Sequence, residues 1–108
     1  VEEEQIFEFL EEMPEFPGGE KAMLKWLGDH VKYPAVAAEN NIQGRVMVSF
    51  VVERDGSVSN VKVDRGVDPS LDKEAIRLVE SMPKWKPGMQ TGKPVRCRFR
   101  LPVTFKLR

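Results

Sequence analysis

The chain has 108 residues, of which 41% are hydrophobic and 31% are charged, so we expect one compact globular domain with a modest core. No apolar run approaches the roughly 18 residues that cross a bilayer, and no signal peptide opens the chain, so we expect any leader or anchor to lie outside these residues. Seventeen basic and seventeen acidic residues cancel to a net charge of zero, which argues against nucleic-acid binding through bulk charge.

The charges are segregated along the chain. Residues 1–20 hold eight Glu and no Lys or Arg, whereas residues 81–108 hold eight Lys or Arg and no acidic residue. Two solvated faces would explain this pattern. The alternative is that the acidic N-terminal segment lies beside the basic last strand, where opposite charges on facing strands stabilise each other.

The first part of the chain predicts a strand and two helices. Ile6–Leu10 is short, apolar and aromatic, as in a strand, and the two Pro and two Gly in residues 11–19 then break regular structure. A helix starts at Glu20 and ends near Lys32, because Pro34 disfavours helical backbone at the residue before it. The apolar stripe of that helix is predicted to be Met23, Leu24, Leu27 and Val31. A short helical turn is predicted after it, at Ala35–Glu39.

The middle of the chain predicts a hairpin and a second long helix. Gly44–Glu53 alternates along a strand, Asp55–Gly56 suits a tight turn, and the spacing after Val58 predicts a bulge in the returning strand. The helix begins at Asp68–Pro69, an N-cap followed by proline at the first helical position, and it ends at Met82–Pro83. Its buried stripe is predicted to be Leu71, Ala75, Leu78, Val79 and Met82.

The last strand is the longest predicted element. Turns at Trp85–Gly88, where Trp85 serves as a core anchor, and at Gly92–Pro94 lead into Val95–Arg108, in which odd positions are apolar and even positions are polar, basic or proline. At about 3.3 Å per residue this strand spans about 45 Å, so we expect part of its backbone edge to stay open. The order β–α–β–β–α–β, with a short helical turn before the hairpin, predicts an α+β fold: a two-layer antiparallel β-sheet with helices on one face.

The residues argue against catalysis and against a cofactor. His30 and Cys97 are the single His and the single Cys, and they are far apart, which is poor material for a metal site or for a nucleophile with its base. No phosphate-binding glycine motif occurs. We therefore expect no enzyme activity, no metal and no cofactor, with Cys97 as a small buried hydrophobe and His30 at the surface.

A nucleic-acid-binding domain is a second possibility to weigh, because RNA-recognition domains share this order of elements and the last strand bears a row of arginines. The net charge of zero opposes it, and Gly44–Glu53 lacks the aromatic pattern that stacks bases. We expect no nucleic-acid partner.

Seven features in order over residues 33–108 resemble the C-terminal domain of TonB energy transducers. They are Tyr33–Pro34, Gly44 before an alternating strand, Asp55–Gly56, Leu71–Asp72 with Ala75, Trp85–Gly88, Gly92–Val95 and Pro102–Phe105. Met13–Gly19 resembles the lead-in of TonB-like proteins of the Bacteroidetes type. We therefore treat residues 1–108 as one domain, with an N-terminal strand and lead-in at residues 1–19.

The resemblance implies a function. TonB proteins are anchored in the inner membrane, cross the periplasm by a proline-rich linker, and grip outer-membrane receptors with this domain. A receptor segment, the TonB box, adds as a strand to the edge of the last strand, and proton-motive force from ExbB–ExbD drives transport of nutrients such as siderophores. This chain would be the periplasmic receptor-binding end, with ExbB–ExbD contacted through an N-terminal part outside these residues.

The predicted partner-binding residues lie along the last strand. They are Arg96, Arg98, Phe99, Arg100, Leu101, Val103 and Thr104. The resemblance adds a contact at Tyr33, Pro34 and Ala38, where Ala38 departs from the Gln that better-known members carry near the receptor contact.

Three alternatives stay open at this point. The domain resembles TonB yet would serve as a sensor or regulatory module in another protein. The strand Ile6–Leu10 would dock antiparallel on the last strand as an internal mimic of the receptor segment. The long last strand would be exchanged between two copies to form a homodimer.

Overall fold

The computed structural model of the protein describes residues 6–107 and contains, within them, five strands and three helices. They are β1 (Ile6–Phe7), α1 (Gly19–His30), α2 (Ala35–Glu39), β2 (Gly44–Val52), β3 (Val58–Arg65), α3 (Pro69–Glu80), β4 (Gly88–Gln90) and β5 (Lys93–Phe105). The predicted α+β order is confirmed, and β4 is an additional strand that the sequence pattern does not predict. No helix in the described part is long and apolar enough to span a bilayer.

The helices begin and end where local sequence dictates. The Asp68 carboxylate accepts a hydrogen bond from the backbone N–H of Ser70 at 3.0 Å, and Pro69 occupies the first helical position of α3. α1 ends at His30, and Pro34 stands as the N-cap of α2. The predicted boundaries therefore hold to within about two residues, which is the usual uncertainty of helix ends.

The hairpin of β2 and β3 is closed by a turn that requires glycine. Gly56 has a φ of 88°, and a Cβ at this position would lie 2.0 Å from the carbonyl oxygen of Trp85. The backbone N–H of Trp85 donates to the Gly56 carbonyl at 2.8 Å, so the turn also fixes the start of the segment that leads to β4. The predicted bulge is confirmed, because Ser49 and Val51 pair with Lys62 and Ser59, two residues against three.

The sheet has the order β1-β5-β2-β3, with β4 paired to the beginning of β5. β2 pairs antiparallel with β5 from Cys97 to Phe105 without a register shift. β1 pairs parallel with β5, Ile6 opposite Arg96 and Phe7 opposite Cys97. The prediction of a purely antiparallel sheet is therefore wrong at β1, and the strand predicted over Ile6–Leu10 is limited to its first two residues.

The core lies between the helices and one face of the sheet. Its buried members come from α1, α2, β2, α3, β5 and two loop positions: Met23, Leu27, Ala37, Val46, Val48, Phe50, Val52, Leu71, Ala75, Leu78, Val79, Leu101, Val103, Phe105, Phe16 and Trp85. The predicted stripe of α3 is confirmed, with Met82 partly buried against this cluster. Two layers with the helices on one face are thus the observed architecture.

One predicted core residue is misplaced. Leu24 is 58% exposed, although Met23 and Leu27 beside it are buried. The helix α1 flanks β5 near the margin of the sheet, so the sheet ends before it reaches the side of the helix that carries Leu24. This exposed leucine lies next to Pro102, Val103 and Thr104.

Candidate functional site

The outer edge of β5 is open over most of its length. One edge pairs with β2, and the other meets β1 only at Arg96 and Cys97. Within residues 6–107, no strand pairs with this outer edge from Arg98 to Phe105. An unpaired edge of this length is a ready template for a further strand.

The direction of the backbone groups follows from the hairpin. Residues in a strand send their N–H and C=O alternately to one side and the other, and directly opposed residues in an antiparallel pair face each other or both face away. The Glu53 N–H donates to Ser57 at 2.8 Å, on the β3 side, so Val52 faces β5. Because Val52 pairs with Cys97 and the register stays constant, the odd residues of β5 face β2.

The even residues of β5 therefore direct their backbone groups to the open edge. Beyond the contact with β1, these are Arg98, Arg100, Pro102 and Thr104. Pro102 fits this assignment, because a proline that faced β2 would remove a hydrogen bond from the ladder. We call the backbone from Arg98 to Thr104 the β5 edge.

Three hollows follow one another along the β5 edge, and the second and third lie on the helix side. The first, of about 190 Å³, is bounded by Glu8, Phe9 and Met13 and by residues 98–100. The second, of about 360 Å³, adds Phe16, Met23 and Trp85 to residues 99–102, and the third, of about 210 Å³, adds Leu24, Leu27 and Val31 to residues 102–104. We call these hollows together the edge groove.

Exposed apolar side chains border the edge groove. Phe9 is 89% exposed, Leu24 58% and Met13 43%, in a domain whose other large apolar residues are mostly buried. Sequence reasoning does not identify these three as site residues. The available signal is that Phe9 and Met13 are apolar residues within an acidic run. An apolar border of this kind is typical of a surface that binds another chain.

The other face of the β5 edge is basic. Arg100 lies 3.7 Å from the Glu8 carboxylate and 3.4 Å from Asp64, and it remains more than half exposed. Arg98 makes no ion pair with any residue in the described range 6–107. The contact between Glu8 and Arg100 agrees with the expectation that the acidic N-terminal segment lies beside the basic last strand.

The predicted last-strand residues occupy different parts of this site. Leu101 and Val103 are buried in the core, each 3% exposed, and Phe99 is half-buried against Trp85. These three residues form the floor of the edge groove, whereas Arg98, Arg100 and Thr104 lie on its open side. Arg96 pairs with Glu53 at 2.7 Å at the start of the edge.

The predicted additional contact lies apart from the edge groove. The Tyr33 ring packs edge-on against Phe105 at 5.8 Å, and its hydroxyl donates to the Ile42 carbonyl. Pro34 borders a separate hollow of about 370 Å³ beside α3, and the half-buried Ala38 donates its backbone N–H to Pro34 at 3.0 Å. Tyr33, Pro34 and Ala38 do not line any of the three hollows of the groove.

The single Cys and the single His occupy the predicted surroundings. Cys97 is fully buried, and its burial and the nearby Glu8 carboxylate raise the pKa of its thiol. His30 is exposed and stacks on Trp26 with ring centroids 4.3 Å apart. In the part of the chain that the structure describes, no three His, Cys, Asp or Glu side chains form a metal-binding group.

The predicted antiparallel docking of the N-terminal strand is wrong. The residues that follow β1 hydrogen-bond with the β4 region, Glu12 with Met89 and Glu15 with Lys86, in the antiparallel sense. Because β4 is itself antiparallel to β5, the N-terminal chain runs in the same direction as β5. The segment covers only the first part of the outer edge, and residues 1–5 lie outside the described residues.

Two carboxylates make stability depend on pH. Hydrogen bonds from Arg96 and Ser59 hold the pKa of Glu53 below its ordinary value, and hydrogen bonds from Arg77 and the Lys32 N–H do the same for the pKa of Glu74. Because each folded-state pKa lies below the unfolded value of about 4.3, this stabilisation is present above pH 4.3 and is lost as the pH falls through the folded-state pKa.

We expect the free energy of unfolding, measured with urea at pH 6.5 and at pH 3, to fall on acidification, and to fall less in Glu53→Gln and Glu74→Gln. Each carboxylate should account for on the order of 1 kcal/mol. Glu39→Gln is the control, since this carboxylate is exposed at the end of α2 and has no ion pair in residues 6–107. Equal acid sensitivity in all three variants would contradict the assignment.

The sequence matches one protein family and is similar to proteins from two bacterial species. The family described as Gram-negative bacterial TonB protein C-terminal matches residues 29–107. The chain is 34% identical over 79 residues to Protein TonB of Xanthomonas campestris pv. campestris, covering 70% of this chain and 34% of that protein. It is 36% identical over 84 residues to Protein TonB of Haemophilus influenzae, covering 74% of this chain and 31% of that protein. The chain thus spans about a third of the length of these relatives.

The fold is also similar to solved structures. A solution structure of the Helicobacter pylori TonB C-terminal domain superposes with a TM-score of 0.60 at 24% identity, covering 82% of this chain and 92% of that chain. The match of the family over residues 29–107 includes α2, the hairpin, α3 and the whole of β5 with its open edge. The chain belongs to the TonB C-terminal domain family.

Proposed function

We propose that this domain is the receptor-binding end of a TonB-type energy transducer and that it binds an extended receptor segment by strand addition at the β5 edge. The observation that carries the proposal is the unpaired edge from Arg98 to Phe105, lined by the edge groove. Main-chain hydrogen bonds give strand addition its affinity, and this mode tolerates varied partner sequences. It therefore suits one transducer that serves several receptors.

The edge groove favours apolar side chains on one face of the added segment. Side chains alternate between the two faces of a strand, so residues two apart would lie about 7 Å from each other on the helix side. There they meet the hollows whose floor is Phe99, Leu101 and Val103. Burial of exposed Leu24 and Met13 beneath the segment would add to the affinity.

The opposite face of the segment would be acidic. Its side chains would stand beside Arg98 and Arg100, which lie on the face of the sheet away from the helices together with Asp64 and Ser49. A carboxylate at this position gains a charge-assisted contact with Arg98 and competes with Glu8 for Arg100. Because these charges are exposed, the gain is screened by salt.

The remaining parts of the proposal follow the family. The domain would be periplasmic and would belong to a protein anchored in the inner membrane. ExbB–ExbD would be contacted through a part of the transducer outside these residues and would supply proton-motive force for receptor transport, as of siderophores. No enzymatic step is assigned to this domain.

The test is a titration of the ¹⁵N-labelled domain with a synthetic eight-residue peptide of alternating Val and Glu. We expect the largest amide shifts at Arg100 and Thr104, binding that weakens with salt, and at least about tenfold weaker binding of the matched peptide of Val and Lys. Removing both charges, in Arg98→Gln with Arg100→Gln, should erase most of this preference. Lys106→Gln is the control, since it removes a charge just beyond the ladder.

Shifts confined to residues outside 95–107 would contradict the proposed site, and equal binding of the two peptides would contradict the role of the arginines. A peptide copied from the TonB box of a receptor in the same genome tests the biological partner. If the synthetic peptide binds at the edge and the TonB-box peptide does not, the binding mode stands and the receptor role is wrong.

A further inference from the structure

The open β5 edge raises the question of what keeps two copies of the domain from pairing with each other. The edge is long and is bordered by exposed apolar side chains, and β5 pairs with β2 on its other side without a register shift. Edges of this kind form intermolecular sheets unless a proline, a charge or a covering segment prevents it. In residues 6–107, the covering strand β1 reaches no further than Cys97.

We propose that Pro102 excludes a second copy of this chain from the β5 edge and so reserves the edge for a foreign peptide. Pro102 is exposed, lies between the second and third hollows, and belongs to the set of even residues whose backbone faces outward. It offers a carbonyl to the edge but no N–H. Its ring also stands where an opposing carbonyl would approach.

Pro102 lies inside every extensive pairing of two such edges. Two identical edges related by a twofold axis would pair antiparallel, and their outward residues are Arg98, Arg100, Pro102 and Thr104. Pairing them so that the position numbers of opposed residues sum to 200, 202 or 204 gives the three alignments that join three or more of these positions. Each alignment contains Pro102 of both copies, so each copy loses one ladder bond.

The arginines act in the same sense. In all three alignments, Arg98 and Arg100 of both copies lie on the same face of the joined sheet, and the alignment with sum 200 sets Arg100 directly opposite Arg100. Like charges that face each other across a strand pair are destabilising. A foreign segment with carboxylates avoids this repulsion. Its pairing with the edge also includes one Pro102 and loses one ladder bond, whereas the pairing of two copies includes two and loses two.

The experiment compares wild type, Pro102→Val and Thr104→Val by sedimentation velocity from about 10 μM to 1 mM. Pro102→Val restores the outward N–H without disturbing the bonds to β2, so we expect a dimer whose dissociation constant is lower than that of wild type by about tenfold or more. Thr104→Val adds the same side chain to the same edge without a new donor, and it should change the constant by less than about threefold. The new dimer should show concentration-dependent amide shifts at Arg100 and Thr104.

Several outcomes would overturn the proposal. They are equal association of wild type and Pro102→Val, association of Thr104→Val as strong as that of Pro102→Val, and a wild type already dimeric through this edge. Pro102→Thr serves as a second variant, and failure of both Pro102 variants to fold would contradict the outward direction of this nitrogen. A dimer that forms by exchange of β5 between two copies would convert slowly to monomer. The slow rate of this conversion distinguishes it from a dimer formed by pairing of the two β5 edges.

This inference requires the open edge and not a receptor. Sedimentation of the free domain and titration with peptide therefore test separate claims. A Pro102→Val variant that stays monomeric would contradict this inference and leave strand addition intact. A domain that binds no peptide would contradict strand addition and leave the role of Pro102 against self-pairing intact.

Discussion

Arg100→Pro is expected to give a folded domain that no longer binds an extended peptide, whereas Leu101→Pro is expected to give an unfolded one. The two positions are neighbours in β5, but the backbone of Arg100 faces the open edge and that of Leu101 faces Val48 of β2. Proline removes a donor and adds a ring on the side where that donor stood. At Arg100 the loss falls on the incoming strand, and at Leu101 it falls on the central ladder of the sheet.

The two proline variants are expected to differ in their free energy of unfolding. Leu101→Pro loses a buried side chain, at a cost of about 2–5 kcal/mol, and in addition the bond and the space between β5 and β2. That sum is comparable with the whole stability of a typical domain, about 5–15 kcal/mol. Leu101→Ala is its control, because it removes the side chain and keeps the N–H. Circular dichroism with urea measures each variant.

For peptide binding, Arg100→Gln is the matched control of Arg100→Pro. Both remove the charge, and only the proline removes the outward N–H. We expect Arg100→Gln to weaken binding of the Val–Glu peptide about two- to fivefold and Arg100→Pro to weaken it by more than about fiftyfold. If the two variants bind alike, recognition depends on the arginine side chain and strand addition is wrong. If Leu101→Pro folds normally, the assigned backbone directions are reversed.

Trp85→Ala is expected to cost about 3–5 kcal/mol of the free energy of unfolding. The Trp85 ring is 3% exposed and lies 5.7 Å from the ring of Phe16, 5.5 Å from that of Phe50 and 5.1 Å from that of Phe99. It therefore joins the N-terminal lead-in, β2 and β5 at one point. Its removal leaves a cavity where those three elements meet.

Trp85→Phe is the conservative control for this prediction. Among the described residues the buried indole nitrogen of Trp85 has no hydrogen-bond acceptor, so Phe gives up ring volume but also removes an unpaired donor. We expect Trp85→Phe to cost less than half as much as Trp85→Ala. Because Trp85 and Phe99 both line the second hollow, Trp85→Ala should also weaken peptide binding. A loss below about 1 kcal/mol in Trp85→Ala would contradict the anchoring role.

The features predicted correctly from the sequence have local causes. Asp68 followed by Pro69 starts α3 through a cap and a fixed φ, and both signals lie within a few residues of the helix. Asp55–Gly56 closes a hairpin between two alternating strands, and this signal is also local, because Gly56 readily adopts the positive φ of the turn. The alternation in β5 correctly assigns Leu101 and Val103 to the core.

The features that were missed depend on distant partners. β4 has only three residues, and it exists because they pair with Lys93–Val95. The parallel direction of β1 is set by the bonds of Glu12 and Glu15 to the β4 region, more than seventy positions away. The exposure of Leu24 is decided by where the sheet stops beside α1. Alternation alone does not tell which edge of β5 pairs and which stays open.

The small size of β1 has a mechanical consequence. A pulling force that enters the domain from its N-terminal side reaches β1 first, and β1 is held to β5 by two residue pairs, whereas β2 is held by nine. The short strand would peel away before the long ladder carries load. Peeling it uncovers the backbone groups that Arg96 directs outward, so we expect tension applied from that side to lengthen the exposed stretch of β5 toward its beginning.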